Sequence, residues 1–139
     1  MLFNVDEILL HRPPMRFIGR LLECSERSAT AETTFEEDGY GVDEGSVSEP
    51  ALLECMAQTM AAHQGQRARE QGIEPTPGML VGVKDVHFFQ SAASGHRLEI
   101  RVDITHKVGS FYLADCSVLQ DSVEVASGTL KFFVPEEVE

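Results

Sequence analysis

The chain has 139 residues and a mass of 15.3 kDa, room for one domain with a core of its own. Hydrophobic residues make up 42% and charged residues 24%, a globular balance that excludes wholesale disorder. The formal charge of -12, from 11 basic and 23 acidic residues, excludes a surface built for nucleic acid or for anionic membrane.

The opening, MLFNVDEILLHRPP, lacks the basic start and apolar stretch of a secretory signal, and no apolar run reaches the length of a membrane span, so the expected setting is the cytoplasm. Val5 to Leu10 reads as a short helix or turn, stopped by the two prolines of His11-Arg12-Pro13-Pro14. Met15 to Cys24 and Ser28 to Phe35 are strand candidates, the second from its alternation of small or apolar with polar residues. Residues 36–47 (EEDGYGVDEGSV) carry three glycines and no periodicity and predict a loop.

A long helix follows. Ser46 to Glu49 has the spacing of a capping box, Pro50 suits a first turn, and Ala51 to Gln71 is rich in Ala, Leu, Met, Glu and Gln. Arg67 and Arg69 fall in the last turns, and Gly72 offers a C-terminal cap. The first half, ALLECMAQTMAA, is apolar nearly all round, which predicts a helix enclosed by its surroundings. After the break at Pro75-Thr-Pro77-Gly78, strands are predicted at Met79–Gln90, His96–His106, Ser110–Gln120 and Val123–Val134, with Gly95, Gly109 and Asp121-Ser122 as hairpin connections. The order predicts an α+β domain spanning 1–139, an antiparallel sheet wrapped around a long central helix.

The acidic residues Glu36, Glu37, Asp38, Asp43, Glu44 and Glu49, and the tail Glu136, Glu137 and Glu139, read as solvated surface. Cys24, Cys55 and Cys116 are odd in number and form no C-x-x-C pair. The histidines at 11, 63, 87, 96 and 106 form no ligand motif, so neither a disulfide framework nor a metal site is expected. No glycine-rich phosphate loop is present, and no cofactor is expected.

Glu54 is the chemical anomaly. Between Leu52, Leu53, Cys55, Met56 and Ala57, a carboxylate is costly to bury and, if kept, is poised for general acid or base work; pointing to a partner arginine or to solvent at the helix edge is the structural alternative. Gln58, one turn on, shares its face and can orient it by a hydrogen bond. His11 is a second candidate. His63 lies on the same helix but more than two turns from Glu54, too far to act on the same bond within one subunit, and the strand histidines 87, 96 and 106 read as surface groups. Cys55 has no histidine at helical spacing to activate it and reads as packing.

Three segments taken together, LLHRPPMRFIGRLLE (9–23), LLECMAQTMAAHQG (52–65) and MLVGVKDVHFFQSAASGHRLEIRV (79–102), resemble the hotdog-fold β-hydroxyacyl-ACP dehydratases of the FabZ/FabA type, ACP being acyl carrier protein. The "HRPPM" opening and the LE-x-MAQ helix are most similar to the divergent dehydratase-like proteins of aryl-polyene and related biosynthetic clusters. The resemblance implies that Glu54 stands for the catalytic acidic residue of the family's helix and Gln58 for its glutamine. The family's histidine, counted back from Glu54, falls on Tyr40, and the glycine that helps hold the thioester carbonyl falls on Glu49, so that half of the site departs from the pattern. Tyr40, with an ordinary phenol, is a poor base, leaving His11 and Tyr40 as the local candidates for the second proton-transfer role.

The start of the helix, Glu49, Pro50 and Ala51, together with Gln58, would line the thioester. The implied activity is a 3-hydroxyacyl-thioester dehydratase with a modified site. The alternatives are a hotdog thioesterase in which Glu54 activates water, or a non-catalytic acyl-binding partner subunit. The family also implies a homodimer, an assembly of dimers, or a heterodimer with another hotdog subunit, and a substrate carried on acyl carrier protein or coenzyme A. An acidic carrier calls for a basic patch, for which Arg67 and Arg69, or Lys84, Arg97 and Arg101, are the candidates. Met56, Met60, Phe88 and Phe89 would set pocket depth.

Overall fold

The computed structural model describes residues 5–9, 11–74 and 78–135, with the side chain of Asp6 left out. Leu10, the Pro75–Pro77 break and the acidic tail at Glu136, Glu137 and Glu139 lie outside the described residues. Two helices are formed, α1 (Val5–Ile8) and α2 (Glu49–Glu70). The strands are β1 (Arg20–Cys24), β2 (Ser28–Thr34), β3 (Val42–Asp43), β4 (Ser46–Val47), β5 (Met79–Phe88), β6 (Ala92–Ala93), β7 (Arg97–Val108), β8 (Phe111–Gln120) and β9 (Val123–Phe133). Six of them form an antiparallel sheet in the order β1-β2-β7-β8-β9-β5; β3, β4 and β6 form a small second sheet. The sheet wraps α2, which packs on β1, β2, β7 and β8 and carries α1 on another side. This is the α+β hotdog architecture expected of the chain.

Alternation builds the inner face. Leu98, Ile100, Val102 and Ile104 of β7 point inward between Arg97, Glu99, Arg101 and Asp103; Ala114, Cys116 and Val118 of β8 and Ala29 and Ala31 of β2 join them. α2 is 22 residues, about 33 Å long, and buries Leu52, Cys55, Met56, Thr59, Met60 and Ala62 in this core. Burying apolar groups on several of its sides explains why its first half is apolar nearly all round.

Four expectations are corrected. The cap of α2 is Ser48, whose side chain accepts the Ala51 N–H at 3.3 Å; Ser46 is in β4, paired with Ala93, so the box beginning at Ser46 does not form. Met15 to Gly19 precedes β1 as irregular chain because side chains satisfy its backbone, as described below. Residues 36–47 are not all loop: Glu44 (φ 51°) and Gly45 (φ 80°) turn β3 into β4. Gly95 turns β6 into β7, and β5 pairs with β9 rather than with the next long strand, so β5 is a sheet edge. The remaining turns stand as read. Asp121 and Ser122, both at positive φ, join β8 to β9, and Gly109 joins β7 to β8. Gly72 (φ 70°) ends α2 with Ile73 N–H on Ala68 O at 3.0 Å and its own N–H on Arg69 O at 3.1 Å. No helix among the described residues is long and apolar enough to cross a membrane.

Candidate active site

Gln58 is fully buried and makes four hydrogen bonds, satisfying both ends of its amide. Its carbonyl oxygen accepts the N–H of Phe17 at 2.7 Å and of Ile18 at 3.4 Å; its amide nitrogen donates to Met15 O at 2.7 Å and to Glu54 Oε1 at 3.1 Å. The i,i+4 spacing places the amide beside the carboxylate, as the sequence predicts. The same side chain hooks the segment after the two prolines onto the helix. That segment brings His11 back over α2, with Nε2 3.7 Å from Glu54 Oε1, within ion-pair reach. His11 Nδ1 is buried with no hydrogen-bond partner among the described residues.

Of the two readings of Glu54, the buried one is not met. Its side chain is 42% exposed, because it points from the enclosed helix toward a cavity instead of into the core. The carboxylate is held by Gln58 and faced by His11. The cavity has a volume of about 230 Å³ and is mostly apolar, with Glu54 and His11 at one part and Ala57, Met60, Ala61, Ile8, Leu9 and Gly65 along it. Leu80 of the edge strand β5, Phe132 and Val134 line its other side.

The other predicted residues are placed apart. Tyr40 is 65% exposed on the turn before β3 and does not line the cavity. Glu49 and Pro50 are exposed at the start of α2, and Ala51 is buried beneath Gly41, whose positive φ (84°) and lack of a β-carbon admit the contact. Met56 is core and Met60 lines the cavity, but Phe89 is exposed and stacked on His87, so it does not shape the pocket. Ile8, Leu9 and Gly65 are lining residues that sequence reasoning missed; the glycine inside an otherwise good helix was their one signal.

A larger groove of about 610 Å³ at the C-terminal end of α2 contains neither Glu54 nor His11 and meets the cavity at Gln64 and Val134. His63 lines it, buried, with Nε2 donating to Ser25 O at 2.7 Å and Nδ1 accepting from Gln64 at 3.0 Å. Burial holds its pKa below the ordinary value, so the ring is a neutral tether between α2 and the β1–β2 turn. Burial pushes the Cys24 thiol up to about 11 and Cys116 to about 12, and Cys55, beside Glu54, higher still. All three are free and none is a ready nucleophile.

The expected basic patch does not assemble from its candidates. Arg67 pairs with Glu70 at 3.0 Å, Arg69 with Glu7, Arg97 with Glu32, and Arg101 with Glu99 at 2.7 Å. Four of the five are thus neutralised by carboxylates of the same chain. Among the described residues, no group of three His, Cys, Asp or Glu side chains is placed to hold a metal ion.

Comparison with known proteins bears on the family and the fold. The family model for ApeP-like proteins, described as ApeP dehydratase, matches residues 3–139. An uncharacterized thioester dehydrase of Halalkalibacterium halodurans is 27% identical, over 96% of this chain and 92% of the relative. Among solved structures, the dehydratase heterocomplex ApeI:P from Xenorhabdus doucetiae superposes with a TM-score of 0.87 at 20% identity, covering 97% of this chain and 93% of the other. A hypothetical thioesterase of Streptococcus pneumoniae, solved with coenzyme A, gives 0.69 at 11% identity over 86% and 87%.

Proposed function

The chain belongs to the ApeP-like dehydratase family, and from that membership we propose that it dehydrates a 3-hydroxyacyl thioester with Glu54 as its acid and His11 as the proton acceptor. The observation that carries this reading is the placement of Glu54, gripped by Gln58 at 3.1 Å and facing His11 at 3.7 Å, beside an apolar cavity. Dehydration removes a proton from the α-carbon and delivers one to the departing β-hydroxyl, so the enzyme gains and loses one proton per turnover. His11 takes the α-proton as the electron pair moves to form the α,β double bond; Glu54 protonates the hydroxyl, and the C–O bond breaks to release water. Transfer from His11 to Glu54 across the 3.7 Å gap restores both groups. The thioester carbonyl gathers negative charge as the α-proton leaves.

The cavity of about 230 Å³ falls below the roughly 300–1,000 Å³ of ligand pockets, which supports a second subunit completing it. β5 is where that subunit docks: a ten-residue sheet edge with Met79, Leu80, Val81 and Val83 exposed, one of which lines the cavity. The heterocomplex of the structural neighbour supports another hotdog chain as that subunit, with a second copy of this chain as the other possibility. The carrier is acyl carrier protein or coenzyme A; the pairing of Arg67, Arg69, Arg97 and Arg101 with carboxylates of their own chain leaves them little attraction for an acidic carrier.

Mass spectrometry of a 3-hydroxyacyl-ACP incubated with the protein tests this directly. Loss of one water, abolished in Glu54→Gln and strongly reduced in His11→Asn but not in Tyr40→Phe, is the expected outcome. Retained turnover in His11→Asn with loss in Tyr40→Phe would overturn the assignment of His11. Release of free carrier thiol would establish the thioesterase reading, in which half-exposed Glu54 activates a water.

A further inference from the structure

α1 lies on α2 at Gly65. A β-carbon on Gly65 would overlap the carbonyl oxygen of Ile8 and stand 3.0 Å from its carbonyl carbon and 3.2 Å from its Cβ, so only glycine admits the backbone there. Glycine in the middle of a helix is otherwise unfavourable, and its occurrence in α2 matches this close approach. The seat is reinforced on either side. Arg69, one turn beyond, pairs with Glu7, and Arg12 donates to Leu9 O at 2.6 Å as the chain leaves α1. The far end of the same segment is hooked by Gln58 through Met15, Phe17 and Ile18. His11 stands between these two anchors, opposite Glu54.

The segment is also a wall. Ile8, Leu9 and His11 line the cavity beside Glu54, Ala57, Ala61 and Gly65 of α2, and Leu80, Phe132 and Val134 complete it. Gly65 lies eleven positions along α2 from Glu54, about 16 Å, so an acyl chain whose thioester is near Glu54 extends toward it. We propose that Gly65 is a positioning residue: by admitting the Ile8 backbone it sets both the width of the acyl cavity remote from Glu54 and the placement of His11 at the reacting end. Acyl-chain selectivity and the His11–Glu54 geometry are thereby governed from one point. The inference rests on the reading of this cavity as the thioester site.

The test is Gly65→Ala against the wild-type chain, with unreactive thioether analogues of butyl and dodecyl pantetheine as calorimetric probes and dehydration kinetics beside them. The added methyl pushes α1 outward, so the dodecyl-to-butyl affinity ratio rises about tenfold and kcat falls about tenfold, as expected when a reacting group is displaced. A merely structural role would weaken both analogues by a common factor and leave their ratio unchanged, and that result overturns the proposal. Should Gly65→Ala not fold, Ile8→Ala thins the same wall without a clash and must raise the ratio in the same direction; an unchanged ratio is equally fatal. If the wild-type chain binds neither analogue, alone or with the subunit that completes the cavity, the acyl-site reading itself fails, and the role of Gly65 with it.

Discussion

The side chain that holds the candidate site together is Gln58, not Glu54. Its amide, itself fully buried, closes a hydrogen-bond circuit from the carboxylate to the backbone of Met15, Phe17 and Ile18. Gln58→Ala removes four hydrogen bonds and strands the buried Ile18 N–H, and should cost about 2–4 kcal/mol of stability. Urea unfolding should show the loss as a lower midpoint at unchanged slope, and kcat should fall because Glu54 and the His11 segment lose their common tether. The Glu54–Gln58 pair was legible in sequence because i,i+4 spacing is a local rule. The exposure of Glu54 was not: apolar neighbours at adjacent positions point around the helix and do not report which face a given residue presents. His11 reached Glu54 only through a fold contact across 43 residues, and Tyr40, placed by ungapped counting alone, stands outside the cavity.

Among the elements, β7, β8 and β9 were readable because Gly109 and the Asp121-Ser122 pair, turn residues at positive φ, punctuate them. β3, β4 and β6, two residues each, are too short to carry a pattern, and their pairing is decided by the approach of distant segments. The start of β1 was misread because Gln58 takes the backbone bonds that a strand partner would have taken. The tether at His63 joins α2 to the β1–β2 turn and carries its own pH dependence. Its folded pKa lies below the ordinary 6.5, so the unfolded chain binds the proton more readily than the folded one. Stability contributed by the neutral ring is therefore complete above the unfolded value and is lost as pH falls through it toward the folded value. Thermal unfolding followed from about pH 7.5 to 5.5 should show the melting temperature falling, and His63→Gln, which has no titrating ring, should flatten that slope.

At the scale of the whole molecule, the unanswered feature is an apolar sheet edge on a chain of strongly negative charge. Among the described residues β5 is a sheet edge that exposes Met79, Val81 and Val83, a surface that invites another sheet. The charge of -12 works against that invitation when the partner is a second copy, since like charges must be brought together. Screening separates the two kinds of partner. Raising salt from about 0.01 M to 1 M shortens the reach of charge from about 30 Å to 3 Å. A homodimer across β5 should therefore tighten over that range, because repulsion fades while apolar burial persists. A complex with a hotdog subunit carrying opposite charge should loosen instead. Sedimentation equilibrium across this salt series reads the sign, and Val83→Asp, which sets a carboxylate on the exposed edge, should abolish either association. Association with the same salt dependence but indifferent to Val83→Asp would place the interface elsewhere on the molecule and leave the cavity beside Leu80 to be closed by something other than a neighbouring sheet.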